Sequence, residues 1–136
     1  MANAALLVAR LVLAFLFLAS GFSALRDMGG ATGYFSSLGF PAPAFVAWAT
    51  CVFELAAGAL IVVGYQTRAA ALLLAAFSVA AGFIGHYGQG SEDPMLAFMH
   101  SQALMKDVAI AGGFLALAVA GPGAWSVDAG WRRPQA

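Results

Sequence analysis

The stretch Phe45–Gly64 reads Phe-Val-Ala-Trp-Ala-Thr-Cys-Val-Phe-Glu-Leu-Ala-Ala-Gly-Ala-Leu-Ile-Val-Val-Gly. It matches the roughly 20 apolar residues an α-helix needs to cross a bilayer. Glu54, near its middle, is the one charged side chain between Asp27 and Arg68. A carboxylate at that depth costs a few kcal/mol on insertion scales, so it must face protein or water rather than lipid. The stretch therefore predicts an integral membrane protein with a polar centre.

Three further runs have the same character: Ala4–Leu25, Ala69–Tyr87 and Ala103–Ala120. The expected architecture is all-α, a bundle of four transmembrane helices forming one domain over residues 1–136. Composition agrees: charged residues are 9% of the chain, against about 25% in soluble domains, and mean hydropathy is +0.88. Net charge is zero, with no basic patch, which argues against a nucleic-acid partner. A cleaved signal peptide is disfavoured at the N-terminus, because there is no basic leading region and Arg10 interrupts the apolar run.

Lys and Arg in short loops set orientation. Arg68 lies in the tight second connection, and Arg132 and Arg133 in the tail. With four spans these regions share a side with the N-terminus, so both termini are expected in the cytoplasm. The opposite side carries the loops Arg26–Ala44 and Gly88–Gln102, the latter with Glu92 and Asp93 and no Lys or Arg. Pro41 and Pro43 precede the second span, Thr67 is a candidate N-cap for the third, and Gly121-Pro122-Gly123 stops the fourth. Small residues at four-residue spacing, such as Ser20 with Ala24 and Ala109 with Gly113, suit close helix packing. Phe15, Phe17, Phe22, Phe77, Phe83 and Phe114 read as packing or lipid-facing residues.

The candidate site consists of the ionisable groups at membrane depth: Arg10, Glu54, His86, Lys106 and Asp107. An Arg10–Glu54 ion pair is geometrically open, as is an escape of Arg10 or Lys106 along its long stem to the interface. Glu54 is too short for that and must be paired, protonated or wet. It is expected to touch Arg10 or Lys106, either as an interhelical lock or as a working site. Thr50 and Cys51 one turn before it, and Gly58 one turn after, would line a narrow pocket or admit another helix. Cys51 is the sole cysteine, and His86 and His100 lack metal-ligand spacing, so no metal site is expected. A haem on the two histidines is disfavoured, because His100 falls in the Gly88–Gln102 loop.

The order of motifs resembles the DoxX family of small four-helix membrane proteins. Arg10 is followed by Phe17-x-x-Ser20-Gly21, then Gly39-Phe40-Pro41-Ala42-Pro43. The most specific pieces are Glu54-Leu55-Ala56-Ala57-Gly58 and Gly64-Tyr65-Gln66-Thr67-Arg68-Ala69-Ala70. His86, Lys106-Asp107 with Gly112-Gly113, and Gly121-Pro122-Gly123 through Ser126 and Asp128 complete the order. The family often has lysine where Ala24 stands and asparagine where Asp107 stands. The resemblance implies a multi-pass protein of the bacterial inner membrane. Relatives include a membrane subunit of thiosulfate:quinone oxidoreductase and proteins tied to oxidative-stress enzymes. The implied function is therefore a subunit of a redox-associated complex with quinone as candidate cofactor, beside a redox enzyme or a second copy of the chain. The alternatives are a structural subunit and a small dimeric proton-coupled transporter.

Overall fold

The computed structural model describes residues 1–131. Its elements are α1 (Ala2–Arg26), α2 (Met28–Ser37), α3 (Pro43–Val63), α4 (Thr67–His86), α5 (Pro94–Ala120) and α6 (Val127–Trp131). Of these, α1, α3, α4 and α5 are long and apolar enough to span a membrane. The expected four-helix membrane bundle is thus present. Arg132 and Arg133, which entered the orientation argument, lie outside the described residues.

Two boundaries differ from expectation. The loop Arg26–Ala44 contains α2, and the last span begins at Pro94 rather than Ala103. Both helices start on an aspartate. The Asp27 carboxylate accepts from the Gly30 amide at 2.8 Å. Asp93 accepts from the amide of Met95 at 2.8 Å, one residue into a helix that Pro94 opens. A side-chain acceptor satisfies an amide that the first helical turn leaves free, and proline there loses no hydrogen bond.

The α3–α4 corner is built on two left-handed residues, Gly64 at φ 70° and Gln66 at φ 49°. The amides of Gly64 and Tyr65 both donate to the Leu60 carbonyl, at 2.9 and 3.0 Å, closing α3. Thr67 is not the cap of α4. It is the first helical residue, and its buried hydroxyl has no partner among the described residues. The cap comes from a distance: Asp128 of α6 accepts from the amides of Gln66 and Thr67, each at 2.9 Å.

Packing pairs α1 with α3 and α4 with α5, and lays α2 across α3. The core is small and aromatic by turns: Ala14, Phe17, Ala57, Ile61, Leu74 and Phe114 are buried together. Phe17 meets Phe114 edge-on at 5.5 Å and Phe77 at 6.1 Å. Phe15, Phe22 and Phe83 point outward, as lipid-facing residues do. Lipid gives no hydrophobic drive between helices, so close approach depends on small residues. At Gly21 a Cβ would lie 2.7 Å from Leu55 and at Gly58 3.0 Å from Leu18, both at the α1–α3 contact. At Gly82 it would lie 3.0 Å from the Asp107 Cβ, at the α4–α5 contact.

Candidate functional site

Glu54 sits near the middle of α3 and is 7% exposed. The Ser20 hydroxyl of α1 donates to its Oε1 at 3.1 Å, its one bonded partner among the described residues. Two cavities meet at this pair. The larger, of about 410 Å³, lies beneath α2 and is lined by Tyr34, Phe35, Thr50, Phe77, Ile84 and Gly85. The smaller, of about 360 Å³, extends toward α5 and is lined by Leu16, Phe17, Ser78, Lys106 and Asp107. Ser20, Glu54, Phe77 and Ala81 line both. A carboxylate with a single neutral donor is thereby placed between an apolar chamber and a polar one.

The contact expected between Glu54 and Arg10 or Lys106 does not form. Arg10 is 1% exposed and neither reaches Glu54 nor escapes to an interface. Its Nε donates to Ile61 O at 3.0 Å and its Nη2 to Val62 O at 2.7 Å. Its Nη1 donates to Pro122 O at 2.7 Å and Trp125 O at 2.9 Å. The reason is local. The last carbonyls of α3 have no intrahelical partner and lie at the negative end of the helix dipole, so a cation fits there. Arg10 therefore welds α1, the end of α3 and the Pro122–Trp125 turn, away from both cavities.

Lys106 does not touch Glu54 either. Its Nζ lies 3.4 Å from Asp107 Oδ1, and the side chain is 55% exposed, as expected of a residue at the rim. Asp107 Oδ2 lies 3.7 Å from His86 Nε2. The other face of the His86 ring meets His100: the two Nδ1 atoms are 2.9 Å apart. His100 stands on α5, not in a loop, because Asp93 and Pro94 start that helix early. Above this group, the Tyr34 hydroxyl rests on Gly85, where a Cβ would be 2.5 Å away. Burial and then the Asp107 charge push the Tyr34 phenol above its ordinary range.

The stripe around Glu54 divides between its two readings. Thr50 lines the larger cavity. Cys51 is 1% exposed and donates to Gly21 O at 3.3 Å, and Gly58 is filled by Leu18. Those two admit α1 rather than a ligand. Sequence reasoning missed three contributors. Ser20 read as a packing residue, Tyr34 was hidden in a Gly-rich loop, and His100 was misplaced. The Asp27 and Asp93-Pro94 start signals were the available clues for the last two.

The DoxX family model matches residues 5–87, which hold α1 to α4 and with them Arg10, Ser20, Glu54 and His86. The chain belongs to the DoxX family. This DoxX protein is 37% identical over 128 residues to Inner membrane protein YphA of Escherichia coli, covering 90% of this chain and 87% of that one. It is 33% identical over 124 residues to Inner membrane protein YqjF of the same organism, covering 90% and 88%. No solved structure matches it. As an integral membrane protein it contacts the lipid bilayer over the outward faces of its spans.

Proposed function

We propose that this DoxX protein is an inner-membrane subunit of a redox-associated complex, and that the cavity beside Glu54 receives a quinone head group. The observation that carries this is the placement of Glu54 and Ser20 on the wall of a mainly apolar, aromatic-lined chamber of about 410 Å³. Ligand sites are typically concave and apolar, with a few convergent polar groups, and fall in this size range. A quinone ring is flat and apolar and presents carbonyl oxygens at opposite edges. A protonated Glu54 donates to such an oxygen, and so can the Ser20, Thr50 or Tyr34 hydroxyl. Reduction to quinol adds two electrons and two protons. The electrons come from a partner enzyme, and the site orients the ring and hands over protons.

The same reading places both termini in the cytoplasm, so that α2 covers the cavity from the outer side. Affinity purification from native membranes tests the function. Bound quinone, or a redox enzyme in stoichiometric amount, is the expected result. A protein that comes away alone and quinone-free would instead make Glu54 and Ser20 an interhelical lock in a structural subunit.

A further inference from the structure

We propose that His100, His86 and Asp107 form a proton path leading from the α2-bearing end of the bundle to Glu54. It rests on the reading of Glu54 as a working carboxylate, but not on quinone being the ligand.

The path follows from which atoms face each other. His86 presents Nδ1 to His100 at 2.9 Å and Nε2 to the Asp107 carboxylate at 3.7 Å. Two Nδ1 atoms at that distance need one hydrogen between them, so one ring donates and the other accepts. The carboxylate decides which. An N–H on His86 Nε2 faces Asp107 favourably, whereas a lone pair there would face its negative charge. His86 therefore carries its proton on Nε2 and accepts at Nδ1. His100 then donates from Nδ1 and keeps a bare Nε2.

That arrangement points inward. A proton bound at His100 Nε2 releases the one on His100 Nδ1 to His86 Nδ1. The His86 ring in turn releases its Nε2 proton to Asp107 Oδ2. One proton enters and one carboxylate becomes a carboxylic acid, with both rings left neutral in their other tautomers. The 3.7 Å gap exceeds a hydrogen bond, so the last transfer needs a small ring rotation or one bridging water. Asp107 and Glu54 line the same cavity of about 360 Å³. At about 30 Å³ per molecule in the liquid, that space takes several waters, enough to finish the path.

The groups facing the relay are consistent with it. From α5 come Lys106, whose Nζ lies 3.4 Å from Asp107 Oδ1, and His100 itself. From α2 comes Tyr34, over Gly85. Beyond the cavity, Ser20 of α1 holds Glu54. His100 is half buried on the early turns of α5, near the end of the bundle, where a proton can arrive.

Time-resolved infrared spectroscopy after a pH drop tests the path on the full-length protein in lipid nanodiscs without quinone. The carboxyl band that Glu54→Gln deletes reports protonation of Glu54. His100→Gln and His86→Gln are each expected to slow its appearance at least tenfold while leaving the final amplitude unchanged. Because the steps are in series, the double variant should be no slower than the slower single one. Wild-type rates in both variants would overturn the path, as would a Glu54 band absent at every pH. If His86→Gln does not fold, His100→Gln at the half-buried outer position carries the test. A relay that survives in a protein that binds no quinone would separate the two proposals, as would quinone binding with histidine-independent protonation.

Discussion

Two buried charges, Arg10 and Glu54, meet the cost of burial in opposite ways. Arg10 spends all its bonded donors on four backbone carbonyls, so it belongs to the scaffold. Arg10→Ala should strip the charged donor from all four carbonyls, leaving Ile61 O only its 3.2 Å bond from the Gly64 amide, and cost on the order of 3 kcal/mol or more, since hydrogen bonds to charged groups are worth roughly 1.5–3 each. Arg10→Lys should recover only part, because an ammonium cannot reproduce the planar fork. Thermal unfolding in detergent measures both, and wild-type melting of Arg10→Ala would contradict the role. Among the described residues no cation pairs with Glu54. Glu54→Gln keeps an acceptor for Ser20 and should change stability by less than about 1 kcal/mol, within the range of one neutral hydrogen bond. A loss of several kcal/mol would instead reveal an ion pair at Glu54.

At the scale of elements, the site depends on α2 and on the two helix corners. Gly85 has no room for a side chain, because the Tyr34 hydroxyl occupies the space a Cβ would take. Gly85→Ala should lift α2 from α4, raise amide hydrogen exchange across Met28–Ser37 and leave the four spans folded. Unchanged exchange in α2 would show that it is held elsewhere. At the other end, Asp128→Ala removes the acceptor for two amides at the start of α4 and should cost about 1 kcal/mol, as lost caps do. A Tm equal to that of the wild type would contradict the capping role.

These elements also mark how far the sequence could be read. The spans were legible because each is a long, mainly apolar run, interrupted only at isolated polar positions such as Arg10, Glu54 and Lys106-Asp107, although the early start of the last at Pro94 was not. α2 was not, since Gly29, Gly30 and Gly33 weaken helix propensity and only the Asp27 cap argued the other way. Glu54 was legible as the central polar residue, for want of any route to an interface. Its partner was not: whether a carboxylate finds Arg10, Lys106 or Ser20 depends on helix rotation, which spacing alone leaves open. Arg10 found nearer acceptors at the end of α3, and Lys106 found Asp107. Cys51, on the Glu54 helix one turn earlier, turned toward α1 and not toward the cavity.

At the scale of the whole molecule, the bundle divides its polar groups between two ends. Arg10, Asp128 and the Gly64–Thr67 corner tie one end into a closed knot of backbone bonds. The other end holds His86, His100, Lys106, Asp107 and Tyr34 beside cavities that converge on Glu54. Such a division suits a rigid base with a working end. Reporter fusions check its orientation: a C-terminal reporter should be active only in the cytoplasm, and periplasmic activity would invert the molecule.

Equilibrium binding of a short-chain quinone to the nanodisc-embedded protein, compared with its Glu54→Leu variant, tests the role of Glu54 most directly. Leucine keeps the volume and removes the polar group. Saturable binding to the wild type, weakened at least tenfold or by about 1.4 kcal/mol in the variant, is the predicted result. Equal affinity for both proteins, or no saturable binding to either, would contradict a quinone site at Glu54.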